Sequence, residues 1–278
     1  MSFDPSQMAY ATLNNGQQLP RLGLGVYKVA QDIADSLIVK AIETGYRRFD
    51  TAALYDNELE VGAGIRKSGV PRSEIFVTTK IWKDGQGKDF TADAIEASLD
   101  RLNIEYVDML LVHWPHPALN KYVETYQVFE EYLDTGRVRG IGVSNFEPEH
   151  LQNLMANTSV VPAINQVELH PQLQQARVRA FDAEHGILTE AWSPLARGRF
   201  LEDATIGALT AKYGKTPAQI ILRWHIQLGN LVIPKTTHPD RLLENIDIFD
   251  FDLANEDMTL IAGLNTDTRT GLDPNLFD

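Results

Sequence analysis

Asp50, Tyr55, Lys80 and His113 bring a carboxylate, a phenol, an ammonium and an imidazole to the ends of three successive apolar runs of this 278-residue chain. Together they form a set able to relay protons. A tyrosine titrates near 10 and is a weak acid at neutral pH unless something favours its phenolate. An ammonium about 4 Å away at an effective dielectric of ~20 would favour it by ~4 kcal/mol, or about three pKa units before desolvation losses. On that reading Tyr55 is a general acid sharpened by Lys80, Asp50 keeps Lys80 charged and fixed, and His113 donates a hydrogen bond to a substrate oxygen. Taken singly, Asp50 and Lys80 read equally well as a rim ion pair and Tyr55 as an amphipathic core residue. Four such groups at matching places are harder to assign to packing alone.

Something must bring them together, and the spacing says what. Runs ending on Asp50, Lys80, His113, Asn145, Gln166, Trp192 and Lys235 are 21 to 43 residues apart, the length of one strand plus one crossover helix. That period belongs to a parallel (β/α)₈ TIM barrel, whose strand ends open on one face. Strands are expected at 22–25, 47–50, 75–80, 107–113, 140–145, 163–166, 187–192 and 231–235. Helical patterns lie between them, such as Ile33, Leu37, Ile38, Ala41 and Ile42. Thr44-Gly45, Ser68-Gly69 and His185-Gly186 close helices, and Thr216-Pro217 opens one. Residues 10–20 alternate around Asn14-Asn15-Gly16 and predict a β-hairpin over the barrel's amino-terminal end. Two extra helices are expected, near 203–213 and 254–263. The stretch from Asp267 to Asp278 lacks periodicity and reads as a flexible tail beside the pocket.

Composition narrows the function. The length suits one domain spanning 1–278, and 44% hydrophobic residues can fill its core. Twenty-five Lys and Arg against 38 Asp and Glu give a net charge of -13, which repels nucleic acid and anionic membrane surfaces. The absence of cysteine excludes disulfides and thiolate chemistry. Met1-Ser2-Phe3-Asp4-Pro5 has no basic-then-apolar pattern, and no apolar stretch of about 18 residues occurs, so a cytoplasmic protein is expected. Gly23-Leu-Gly25-Val26 and Gly62-Ala-Gly64-Ile65 suggest a dinucleotide fingerprint, but Lys28 and Lys67 occupy its third glycine position. The first reads as a barrel strand and the second as a helix packed closely on a neighbour. His113-Trp-Pro-His116 lacks the further ligands of a metal site, so no metal is expected.

Five ordered motifs carry a resemblance. Residues 45–62, Val77-Thr-Thr-Lys80-Ile-Trp82, Leu111-Val-His113-Trp-Pro115, Arg139-Gly-Ile-Gly-Val-Ser144-Asn145-Phe146 and Ile233-Pro-Lys235-Thr-Thr-His-Pro-Asp-Arg241-Leu-Leu-Glu244-Asn245 resemble the aldo-keto reductases. Within them the chain looks most like the bacterial 2,5-diketo-D-gluconate reductases, through Ala191-Trp192-Ser193-Pro194-Leu195 and Lys215-Thr-Pro-Ala-Gln219. The resemblance implies a catalytic tetrad of Asp50, Tyr55, Lys80 and His113 with Tyr55 as proton donor. It implies NADPH as the hydride source, because the four side chains can move protons but supply no hydride. It places Ser144, Asn145 and Gln166 at the carboxamide, Trp192 stacked on the nicotinamide, and Gly25, Val26, Ser193, Leu195 and Gly198 along the cofactor. Lys235, Thr236 and Arg241 would hold the 2′-phosphate, with Glu244 and Asn245 near the adenine. Tyr27, Trp82 and Trp114 would wall a pocket for a small carbonyl substrate, keto sugar acids included, with Arg197 and the tail adding charge recognition. The family guess for assembly is a monomer. Arg48 departs from the His or small residue common there, a change expected to alter packing and not to remove catalysis. The alternatives are an NADPH-binding regulatory or structural barrel with little turnover, and a hydrolase using Asp50 and His113.

Overall fold

The computed structural model describes residues 8–277, so the Met1–Pro5 segment lies outside the described residues. Eight parallel strands pair in chain order: β3 (Leu24–Gly25), β4 (Arg48–Asp50), β5 (Phe76–Ile81), β6 (Met109–Val112), β7 (Ile141–Ser144), β8 (Ile164–Glu168), β9 (Leu188–Trp192) and β10 (Leu231–Val232). A parallel bridge between Leu22 and Val232 joins the last strand to the first, and Gly23 N donates to Val232 O at 2.9 Å. The sheet is therefore a closed (β/α)₈ barrel. Several strands are shorter than the apolar runs suggested. Lys235 stands three residues past β10, and Asn145 one past β7 with φ +64.

Helices α1 (Gln31–Thr44), α2 (Glu58–Lys67), α3 (Thr91–Leu102), α4 (Tyr122–Leu133), α5 (Pro148–Ala156) and α6 (Ala176–Glu184) are the crossovers from β3 through β9. Helices α7 (Ala204–Tyr213) and α8 (Pro217–Gln227) separate β9 from β10; α9 (Pro239–Ile246) and α10 (Asn255–Ala262) follow. Thr216 caps α8, its hydroxyl accepting from Gln219 N while the Gln219 side chain accepts from Thr216 N, with proline at the first turn. Gly62 and Gly64 let α2 pack without side chains between. A Cβ on Gly62 would stand 1.8 Å from Leu102 O, and one on Gly64 2.6 Å from Asp35 O.

Alternation along each strand divides the core. Outward residues such as Phe49, Val77, Leu110, Val143 and Val167 meet the helices in the main cluster. A second cluster fills the barrel's amino-terminal end, where Leu19 of the hairpin β1 (Tyr10–Thr12) and β2 (Gln18–Pro20) packs with Phe76, Met109, Leu111, Ile164 and Leu231. Above this plug the barrel interior turns polar. Arg48, Asp50, Lys80, Gln166 and Glu190 are all at most 2% exposed. Burying that much charge near a barrel's centre is costly, and it lies directly under the open strand ends.

Candidate active site

Strand register sets the first contacts. Asp50 pairs with Thr78, so Lys80, two residues on, shares its face and sits one level nearer the mouth. Lys80 Nζ lies 2.5 Å from Asp50 Oδ1, 2.9 Å from Thr51 O and 3.4 Å from the Tyr55 hydroxyl. Tyr55 ends a short 3₁₀ turn, Ala53–Tyr55, stopped by Asp56 in the left-handed region. Its ring lies 5.6 Å from that of His113, which follows β6. The four sequence-marked residues therefore meet in one place.

Their electrostatics differ from the sequence expectation in one respect. Burial pushes the Tyr55 phenol well above its usual value, and the Asp50 charge adds to the rise. Lys80 is spoken for by Asp50, so its cation does not outweigh desolvation. Burial lowers the ammonium of Lys80, against the pull of Asp50. Tyr55 is thus a reservoir that keeps its proton until a strong base appears. His113 is held neutral, its pKa lowered well below the usual value by burial and then by Lys80. Its Nδ1 is buried without a hydrogen-bond partner. An unsatisfied N–H costs more than an unsatisfied acceptor, so the single proton belongs on Nε2.

On the opposite wall, Gln166 Nε2 donates to Asp50 Oδ2 at 2.8 Å and to Glu190 Oε2 at 2.6 Å, leaving its carbonyl oxygen as an acceptor beside the cavity. Asn145 is more committed: Nδ2 donates to His113 O and Ser144 Oγ, and Oδ1 accepts from Trp192 Nε1 at 2.8 Å. Ser144 Oγ donates to Gln166 O at 2.9 Å. These bonds hold the Trp192 indole at the cavity wall. Arg48, expected only to change packing, forms a fully buried ion pair with Glu190.

The cavity at the strand ends has a volume of about 540 Å³. Of the residues singled out in the sequence, Gly25, Tyr27, Trp82, Trp114, Ser193, Leu195, Arg197 and Lys235 line it; Val26, Gly198, Thr236, Arg241, Glu244 and Asn245 do not. Gly198 (φ +88) lies with Ser193, Ala196 and Arg197 in a loop after β9 whose residues take left-handed conformations. Arg241 is exposed near the start of α9, Thr236 Oγ1 accepts from His238 N at 3.0 Å, and Asn245 is buried. Glu244 accepts from Thr216 Oγ1 at 2.7 Å, tying α9 to α8. Lys235, Thr236 and Arg241 beside that helix start suit a phosphate.

Sequence reading missed Lys28, Leu54, Leu272 and Phe277, which also line the cavity. Lys28 had a signal, since it follows Tyr27 directly. The tail was expected beside the pocket as a flexible segment with no residue of it singled out, and that expectation is corrected: it is tied down. Glu168 accepts from Thr270 N at 2.6 Å and Gly271 N at 3.0 Å, while Arg269 pairs with Glu147 at 2.7 Å. Phe277 then packs 4.8 Å from the Trp114 ring and 6.0 Å from Trp82. Gly271 is required where the tail crosses Trp192, because a Cβ there would stand 2.5 Å from Cη2 of that ring.

The model of the Aldo/keto reductase family matches residues 21–266. An aldo-keto reductase of Mycolicibacterium smegmatis is 50% identical over 267 residues, covering 96% of this chain and 97% of that one. The solved structure of Gox0644 in its apo form superposes with a TM-score of 0.94 at 45% identity, covering 98% of this chain and 99% of the other. A mutant of Gox0644 in complex with NADPH is equally similar in fold, at 44% identity and the same coverage. An aldo-keto reductase of Bombyx mori in complex with NADP gives a TM-score of 0.89 at 36% identity, covering 95% of this chain and 94% of that one.

Proposed function

Because the chain belongs to the aldo/keto reductase family, we propose that it uses NADPH to reduce aldehydes and ketones to alcohols, with Tyr55 as the proton donor. The observation that carries this reading is Lys80 Nζ set between Asp50 and the Tyr55 hydroxyl, under a cavity that Gln166, Asn145 and Trp192 also border. When bound, NADPH supplies the hydride that no side chain here can give. The residues present fit it. Gln166 offers a free carbonyl to a carboxamide, Trp192 offers a fixed ring face, and Lys235, Thr236 and Arg241 offer donors to a phosphate, with Ser193, Leu195 and Gly198 on the loop between. Gly25, Val26, Glu244 and Asn245 complete the set on the β3 and α9 sides.

The chemistry asked of the protein is then modest. Tyr55 and His113 hold the carbonyl oxygen through O–H and Nε2–H. As the oxygen gains negative charge it becomes a far stronger base than a phenolate, and takes the Tyr55 proton even though burial has made that proton hard to remove. Lys80 stabilises the phenolate left behind and Asp50 holds Lys80 in place.

Charge around the rim favours one class of substrate. Arg197, Lys235 and Lys28 stand on the loops after β9, β10 and β3, adjacent strands of the barrel. Tyr27, Leu54, Trp82 and Trp114, from β3 to β6, together with Leu272 and Phe277 of the tail, form an uncharged half. An anionic cofactor suits the first half, and a neutral aromatic or aliphatic carbonyl compound suits the second. Keto sugar acids such as 2,5-diketo-D-gluconate would place a carboxylate against the apolar half, so their kcat/KM should fall below that of a neutral aldehyde such as benzaldehyde.

The test is NADPH oxidation by the wild type and Tyr55→Phe across such a panel. Reduction should occur with the wild type and fall 10²- to 10⁴-fold in kcat in the variant, with NADPH affinity kept within about twofold. Binding of NADPH by the wild type without turnover of any carbonyl would support the non-catalytic barrel and sink this reading.

A further inference from the structure

Below the proton-relaying groups lies a second buried ion pair whose position has a chemical consequence. Arg48, two residues before Asp50 on the same face of β4, crosses the barrel to Glu190 on β9, and both side chains are fully buried. Arg48 Nη1 also donates to Pro20 O in the hairpin at 2.8 Å. Gly23 leaves it room, since a Cβ there would stand 3.0 Å from Arg48 Cγ.

An isolated buried pair contributes little stability that apolar packing could not match. This one touches the site through Gln166. A carboxylate can only accept hydrogen bonds, and the Gln166 amide lies between two of them, 2.8 Å from Asp50 and 2.6 Å from Glu190. Turning the amide over would set its carbonyl oxygen against both. The Arg48 guanidinium against Glu190 favours the carboxylate form there; an amide at position 190 could donate to the turned oxygen and offset its contact with Asp50.

We propose that the Arg48–Glu190 pair is a positioning device that locks the Gln166 amide with its carbonyl toward the cavity, making that wall an obligate acceptor for an N–H donor on the bound ligand. On the reading above, that donor is the carboxamide of the nicotinamide. Arg48 and Glu190 touch neither substrate nor cofactor, and act through Gln166.

The experiment compares dissociation constants for NADPH and for its 3-acetylpyridine analogue, in which a methyl ketone replaces the carboxamide and the N–H donors are gone. The wild type should prefer NADPH about tenfold, the worth of one buried hydrogen bond. Glu190→Gln should reduce that preference to within about threefold while leaving the analogue's affinity near its wild-type value. The double variant R48Q/E190Q removes both charges, leaves no unpaired cation in the barrel and should behave alike, so the test survives poor folding of the single variant. A merely structural pair would weaken both cofactors equally and leave their ratio untouched. An unchanged ratio in either folded variant, or a wild type with no preference, overturns the proposal. Failure of the wild type to bind NADPH at all would instead remove the function proposed above and this inference with it.

Discussion

Removing the Asp50–Lys80 contact one side at a time and then from both sides separates what the pair does for stability from what it does for chemistry. The two charges are 2.5 Å apart and 3% exposed or less, so solvent screening is slight and an effective dielectric of ~20 gives an attraction of about 6–7 kcal/mol. Desolvation cancels most of that gain, but a lone survivor keeps the whole penalty. Asp50→Asn should cost about 3–5 kcal/mol, and Lys80→Met should cost the same, because each leaves a buried charge without its partner. The double variant should cost less than the sum by at least about 2 kcal/mol, since it leaves no orphan. Urea unfolding at pH 7 measures all three. Activity should follow a different pattern: all three variants should lose 10²-fold or more in kcat, because the double variant regains stability without regaining the ammonium beside Tyr55. Strict additivity of the unfolding free energies, or a double variant that turns over near the wild-type rate, would refute the reasoning.

Two further outcomes are expected. Burial raises the Asp182 carboxyl from 3.8 to about 7, against the donors Thr189 and Asn165, so the folded state binds the extra proton between those values. That contribution is present at low pH and is lost as pH rises through about 7, by up to about 4 kcal/mol. Asp182→Asn should flatten the fall in unfolding free energy between about pH 4 and pH 7, and equal slopes in parent and variant would exclude the assignment. Burial also pushes Glu168 up, but His170, Thr270 and Gly271 outweigh it and hold the carboxyl at about 2. The stability it contributes is present above about 4.5 and lost as pH falls through about 2. At neutral pH Glu168→Gln should loosen the tail, raising KM for carbonyl substrates several-fold with NADPH affinity little changed; unaltered KM values would show that the tail does not shape the pocket.

Periodicity carried the barrel, because a strand buried on both faces must be apolar and a crossover must have a nearly fixed length. The run before His113, Met109-Leu-Leu-Val112, is continuous for that reason, whereas those before Asp50, Lys80 and Trp192 are broken by Arg47 and Arg48, by Thr78 and Thr79, and by Thr189 and Glu190, whose side chains face the polar interior or the helices. The same regularity made the tetrad legible, since each member follows a recognisable run. The tail was illegible because Thr270 and Gly271 are held by Glu168, more than 100 residues away, with no local pattern to mark the pairing. Glu190 was hidden for a similar cause: inside an apolar strand it looks like an exception, until Arg48 arrives from the other side.

The chain's own order of residues determined the eight-strand cylinder, the rim on which Asp50, Tyr55, Lys80 and His113 meet, and the exclusion of thiol chemistry. Only the folded arrangement decided that Tyr55 holds its proton tightly, that Lys80 belongs first to Asp50, and that Phe277 returns to wall the cavity. Spacing along a chain encodes which strand end a group occupies, whereas proton affinity and cavity shape depend on desolvation and on contacts between distant segments, which exist only once the barrel has closed.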